Sequence, residues 1–229
     1  MSDYVISPPP QVAVPVAGGG LFPVRRIYCV GRNYAEHARE MGHDPNAEPP
    51  FFFSKPADAL LIGGADSPYP TQTSNFHHEI ELVAAIGTGG SEIPVETAIN
   101  HVWGYGVGID LTRRDLQAVA KEQRLPWDIA KGFDASAPIT AIVPVASAGH
   151  DFSRRLWLEV NGELRQQAPL SDMVFSVAEI IHELSKLFAL KAGDLIFMGT
   201  PSGVAALQRG DRFHAGVDGL AELRGRILQ

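Results

Sequence analysis

The segment His77-His78-Glu79-Ile80-Glu81-Leu82-Val83 constrains this chain more than any other. Side chains of an extended strand alternate between its two faces. Glu79 and Glu81 therefore point one way, about 6–7 Å apart, while Ile80 and Leu82 point the other. The residues that follow, to Ile86, are apolar and give the strand core character. Two like charges about 4 Å apart at an effective dielectric of about 20 repel by roughly 4 kcal/mol. A cation between them removes that penalty, and ligation by oxygen alone suits Mg2+, Mn2+ or Ca2+. The other reading is an edge strand with both Glu residues in solvent.

Asp110 favours the cation. The run Trp103-Gly104-Tyr105-Gly106-Val107-Gly108-Ile109-Asp110 alternates large apolar residues with glycine, so Asp110 falls on the glycine face, where backbone or ligand can approach. It ends the strand just before Thr112-Arg113-Arg114-Asp115, which reads as a capping-box-like helix start. A helix N-terminus there would aim amide dipoles at an anionic ligand. Packing of the glycine face under a helix is the competing account, and it explains the terminal Asp less well.

Composition narrows the function. Across 229 residues, 19 Lys and Arg stand against 26 Asp and Glu, a net charge of −7 that argues against nucleic acid or an anionic membrane as partner. A single cysteine, Cys29, excludes a disulfide framework and any zinc site built on paired cysteines. No apolar run approaches the roughly 18–20 residues of a membrane span. The first 24 residues carry no Lys or Arg, so a secretory signal is not expected and the cytoplasm is.

The organisation is that of an α+β chain dominated by short strands. Residues 1–20, with Pro8-Pro9-Pro10 and Gly18-Gly19-Gly20, read as an extended arm laid over the domain or a partner subunit; residues 21–229 read as one catalytic domain. Ile27 to Val30 is a short strand, and Tyr34 to Met41 a helix with Gly42 as its C-cap. Phe51-Phe52-Phe53 has the composition of a buried strand, and the passage from Ala57 to Asn75 is rich in turns. Asn161-Gly162 between Leu156–Val160 and Glu163–Gln167 signals a type I′ hairpin. Ser176 to Glu179 is a capping box opening a helix whose Val177, Ile180, Ile181, Leu184, Leu187 and Phe188 share a face, and Leu195 to Met198 is another strand.

Competing motifs are incomplete. The paired cysteines of a zinc deaminase, the second His of a zinc protease helix, the dinucleotide glycine spacing, the nucleophile elbow and the P-loop Lys are all missing. His37 and Glu40, three apart, share a helix face, where a carboxylate can orient an imidazole as a general base. They also fit an ordinary surface helix. Lys131, before a Gly-Phe turn, can stabilise an oxyanion or enolate, or be a surface charge.

Together these segments resemble the fumarylacetoacetate hydrolase family, in its short forms that cleave acylpyruvates. The resemblance spans residues 25–229. It rests on Gly31-Arg32-Asn33-Tyr34-x-x-His37-x-x-Glu40, Phe53-Ser54-Lys55-Pro56, the His77 to Glu81 segment, Gly108 to Gln117, Pro126 to Phe133, Asn161 to Gln166 and Gly199-Thr200-Pro201-x-Gly203-Val204. It implies a mixed β-roll, a homodimer, and Mg2+ or Mn2+ held by Glu79, Glu81 and Asp110. It also implies a water-activating dyad of His37 and Glu40, with Lys131, Gln117 and Thr200 contacting the substrate. Long members place a fourth acidic ligand shortly before the dyad His. Here that stretch is Cys29-Val30-Gly31-Arg32, so three protein ligands are expected.

The expected reaction is metal-dependent hydrolysis of the C–C bond in a 2,4-diketo acid, releasing pyruvate. Fumarylpyruvate, an intermediate of gentisate breakdown, is the preferred substrate, with Arg32, Arg114 and Lys55 as candidates for its far carboxylate. The alternatives are oxaloacetate decarboxylation or tautomerisation, hydration or isomerisation of a 2-oxo acid from catechol breakdown, and noncatalytic 2-oxo-acid binding. The dyad and Lys131 speak against the last, since a binding module needs neither.

Overall fold

Alternation in Ile80–Ile86 builds the centre of the molecule. All seven residues of this strand are buried. Ile80, Leu82, Ala84 and Ile86 enter one apolar cluster, whereas Val83 and Ala85 enter a second on the opposite face of the sheet. A strand buried on both faces is a central one, so the edge-strand reading of this segment does not hold.

In the computed structural model the described residues are 4–40, 49–63 and 66–229, with the side chains of 38–40 outside that description. The main sheet runs Phe51–Lys55, Arg26–Gly31, Asp194–Phe197, Ile80–Ile86, Val102–Ile109, Ala137–Ile139, Leu60–Ile62, and Val143–Pro144 adds to Val102–Ile109. Two of its pairings are parallel and the rest antiparallel, and the sheet curls into a half-barrel. This is the expected mixed, sheet-dominated α+β architecture.

One face carries the larger core. The helix Val177–Leu187 packs Val177, Ile180, Ile181 and Leu184 there, and its Ser176–Glu179 capping box forms as the sequence signals. Leu187 and Phe188, read as part of that buried face, are 65% and 38% exposed. The helix ends there and Phe188 turns to an extended conformation, laying its ring 5.1 Å from Tyr28 instead. A four-stranded antiparallel sheet closes the same core, its Arg155–Val160 and Glu163–Pro169 strands joined at Asn161 and Gly162, both at positive φ as a type I′ turn requires.

The other face is covered by the N-terminal segment. Ala13–Pro15 and Leu21–Pro23 form a hairpin turned at Gly18-Gly19-Gly20, and Val14 lies fully buried against Ile27, Cys29 and Phe197. Of the segment read as an arm, Val12, Val14 and Val16 pack on its own domain, and residues 13–15 are a strand. Phe51–Lys55 corrects another expectation. It sits at the sheet edge, so Phe51 is exposed and Phe52 and Phe53 are half-buried.

Candidate metal centre and active site

The glycine strand and the Glu strand bring the carboxylates together. Glu81 pairs with Gly108 and Ile80 with Ile109, and beyond the last rung the Asp110 N–H donates to the Glu79 carbonyl at 2.8 Å. The close approach allowed by Gly106 and Gly108 is taken up by protein: a Cβ would meet Ile142 at 2.9 Å and Phe197 at 2.5 Å respectively. Asp110 therefore leaves a strand locked by its own packing. One carboxylate oxygen each from Glu79, Glu81 and Asp110 lies within 4.8 Å of the others, and all three residues are buried.

Three cations face this triad. Lys131 Nζ donates to Glu79 Oε2 at 2.7 Å and to Asp110 Oδ2 at 2.6 Å. Lys55 Nζ lies 2.8 Å from Asp110 Oδ1, an ion pair without hydrogen-bond angles, while its hydrogen bonds go to the carbonyls of Leu111, Lys131 and Ser136. Arg114 Nη2 donates to Glu79 Oε1 and Nη1 to Gln117 Oε1. Among the described residues no ion pair reaches Glu81, which accepts the Gly199 N–H at 2.7 Å.

The proton affinities follow from that asymmetry. Burial alone would raise the Glu79 carboxyl, but Lys131 and Arg114 outweigh it and hold the group well below the usual carboxylate range. Burial, then Asp110 and Glu79, push Glu81 well above it. Desolvation disfavours the Lys131 ammonium, yet Asp110 and Glu79 more than compensate and raise its pKa, so it stays charged. The donor set fits a hard divalent cation: three buried carboxylates, no sulfur, and one carboxylate that has no direct ion pair among the described residues.

A small chamber of about 40 Å³ opens on Glu79 and Glu81 of the triad, and Arg32, His37, Phe53, Arg114, Gln117, Lys131 and Thr200 are among its other lining residues. Arg32, Phe53, Lys121 and Trp127 also line an outer cleft of about 680 Å³, so the two spaces share a wall. His37 lies on the helix Ala35–Glu40, reached through Arg32 at φ +64, and is 8% exposed. His37 is among the groups, after Lys131 and Arg114, that lower the Glu79 pKa. Residues 26–228 match the family model described as fumarylacetoacetate (FAA) hydrolase C-terminal.

The chain belongs to the fumarylacetoacetate hydrolase family.

Among solved structures of this family, fumarylpyruvate hydrolase from Pseudomonas aeruginosa in complex with Mn2+ and pyruvate is 51% identical, with a TM-score of 0.97 over 99% of both chains. The mitochondrial oxaloacetate tautomerase FAHD1 of Rattus norvegicus is 42% identical over 203 residues, 89% of this chain and 91% of that one. The mitochondrial oxaloacetate decarboxylase of Dictyostelium discoideum is 39% identical over 197 residues, 86% of this chain and 90% of that one. No helix among the described residues is long and apolar enough to cross a membrane.

Of the residues singled out in the sequence, the chamber gathers Arg32, His37, Glu79, Glu81, Arg114, Gln117, Lys131 and Thr200. Lys55 is placed differently. It is 2% exposed, sits among carbonyls beside Asp110 and is not among the residues that line the chamber. Thr112 does not cap the following helix: it pairs with His77 in a two-stranded ladder, and Arg113 takes the N-cap position without a side-chain bond. The side chain of Glu40, with Met41 and Gly42, lies outside the described residues.

Several supporting residues carry no signal of their own in the sequence. Buried Gln166 donates to Thr200 Oγ1 and the Pro201 carbonyl at 2.8 Å each, and accepts from Ile80 N at 3.1 Å. Asn33 ties the start of the His37 helix to the glycine turn through Met198 O at 2.8 Å and Phe175 O at 3.0 Å. His77 accepts from Arg114 Nε at 3.4 Å and donates to Asn75 Oδ1 at 2.7 Å. Burial and then Arg114 lower its pKa to about 4, which keeps it the neutral acceptor this pairing needs. Each of these lies far in sequence from the group it holds, or two residues away across a kink, where no motif spacing would reveal it.

Proposed function

We propose that this protein is a metal-dependent hydrolase that cleaves the C–C bond of a 2,4-diketo acid, with fumarylpyruvate as its substrate. The observation that carries this reading is the chamber that His37, Lys131 and Gln117 line together with Glu79 and Glu81, and that shares a wall with a cleft roomy enough for an acyl chain. The Pseudomonas relative, bound to Mn2+ and pyruvate, supports it.

Glu79, Glu81 and Asp110 are the residues to hold Mg2+ or Mn2+, which when bound supplies Lewis-acid polarisation of the 2-oxo acid end. The three carboxylates are already balanced by Lys55, Lys131 and Arg114, so a dication leaves an excess of positive charge. The carboxylate of a 2-oxo acid offsets part of it, which couples metal and substrate affinity. His37, aided by Glu40, accepts a proton from water as the water oxygen adds to the distal carbonyl. The bond between that carbonyl carbon and the neighbouring methylene carbon breaks. Its electron pair goes to the pyruvate enolate, beside which Lys131 holds an ammonium, and protonation at the methylene carbon completes pyruvate. Thr200, held by Gln166, and Gln117, held by Arg114, orient the substrate.

A second reading is oxaloacetate tautomerisation or decarboxylation, which the mitochondrial relatives support. It requires proton transfer or loss of CO2 but no attacking water. Pyruvate release from fumarylpyruvate, acetylpyruvate and oxaloacetate, each with Mg2+, Mn2+ or EDTA, read together with the ultraviolet absorbance of enol-oxaloacetate because tautomerisation releases no pyruvate, separates the two. We expect metal-dependent pyruvate from the diketo acids, reduced about 10²- to 10⁴-fold by His37→Ala. Turnover of oxaloacetate alone, undiminished in His37→Ala, would establish the second reading instead.

A further inference from the structure

We propose that Lys121 and Arg124, facing Arg32 across the outer cleft, form a subsite for a carboxylate at the far end of a diacid substrate. The inference deepens the hydrolase reading and rests on it for the direction in which the substrate lies. Gln117, Lys121 and Arg124 follow one another at helical spacings of four and three along and just beyond Arg114–Gln123. Gln117 lines the chamber, Lys121 lines both spaces, and Arg124 lines the cleft alone. From the first to the last the helix advances about 10 Å, the scale of an extended seven-carbon diacid.

The chemistry of the cleft matches such an end group. Among the described residues, Arg32, Lys121 and Arg124 line it with one acid, Asp128, on a chain whose net charge is −7. Among the described residues neither Lys121 nor Arg124 has an ion-pair partner. Burial, then Arg32 and Arg114 nearby, lower the Lys121 pKa, as befits a cation placed among cations. The other candidates for this contact are engaged elsewhere, since Lys55 is buried beside Asp110 and Arg114 is bound to Glu79 and Gln117. Phe51 and Trp127, with ring centroids 4.9 Å apart, give the cleft an apolar wall for an unsaturated chain.

The test compares two ligands that differ only at the far end, 2-oxoheptanedioate and 2-oxoheptanoate, by calorimetric titration of the Mn2+-loaded protein. We expect the diacid to bind wild type about tenfold more tightly or better. In the double variant Lys121→Met/Arg124→Met that gap should shrink to about threefold or less, with affinity for the monoacid retained as the sign of an intact site. Equal affinities in wild type, a gap that survives the double substitution, or equal weakening of both ligands would each overturn the subsite. Pyruvate release from fumarylpyruvate is measured alongside. A protein that keeps the affinity gap but releases no pyruvate retains the subsite and loses the hydrolase assignment.

Discussion

Lys131 is the residue on which the centre turns. Its ammonium spans Glu79 and Asp110, while among the described residues no ion pair reaches Glu81, so one side chain serves both charge balance and the proposed enolate. Lys131→Met should lower kcat on the diketo acid by about 10²–10³-fold, read from steady-state pyruvate release. It should also cost the metal-free protein about 3 kcal/mol or more in urea denaturation, because two buried carboxylates lose a partner. Equal stability with and without that side chain would mean the carboxylates are neutralised some other way. The sequence made Glu79, Glu81 and Asp110 legible because strand alternation is a strict rule. It left Lys131 ambiguous between surface and core, and it did not show that Lys55 is buried beside Asp110, since nothing in Phe53-Ser54-Lys55-Pro56 tells which side of Asp110 the ammonium occupies.

At the scale of elements, the helix Arg114–Gln123 links the chamber to the cleft, and Asp115 anchors its first turn. The Asp115 carboxylate accepts from Thr73 Oγ1 at 2.6 Å, Ser74 N at 2.9 Å and Leu116 N at 2.9 Å. Burial opposes ionisation, but these hydrogen bonds prevail and depress its pKa. A carboxyl whose folded pKa lies below the unfolded value of about 3.9 contributes stability that is full above that value. The contribution disappears as pH falls through the folded value. Asp115→Ala should therefore cost about 1 kcal/mol at pH 7, since the carboxylate keeps one side in water, and the deficit should shrink in denaturation curves taken at successively lower pH below about 3.9. A deficit unchanged at acid pH would assign the loss to packing. The sequence placed this helix correctly and mistook its cap. Thr112 and Asp115 have capping-box spacing, but the strand pairing of Phe76–His77 with Thr112–Arg113 claims Thr112 first. The Asn161-Gly162 hairpin and the Ser176 cap were legible for the opposite reason, being local devices that no long-range pairing contests.

For the whole molecule, an acidic chain concentrates three cations around a buried acidic triad and three more along one cleft. A ligand that binds the folded state alone stabilises it by about 2.7 kcal/mol at 100 times its dissociation constant. For a chain of this length that is a rise of about 5–10 °C in melting temperature. Saturating Mn2+ should produce such a rise in a thermal melt, EDTA should reverse it, and Glu81→Gln should remove most of it. A melt indifferent to Mn2+ would refute metal binding at the triad. Length and alternation revealed a sheet-dominated domain, but the half-barrel, the N-terminal hairpin against the second core and the edge position of Phe51–Lys55 depend on pairings between distant segments.

The Ile80–Ile86 strand feeds two separate cores with alternate residues and carries Glu81 in the same alternation. Inserting or deleting one residue there would send Ile80 and Leu82 toward the cations and the carboxylates into hydrocarbon, and the chain would fail to fold before it failed to catalyse. Folding thus proofreads the reaction centre. Descendants of this chain are free to change length and charge around Leu125, Pro126 and Trp127, where the cleft is open, but not in the strand beneath. New substrates should arise in this lineage by rewriting the rim while the chemistry stays fixed.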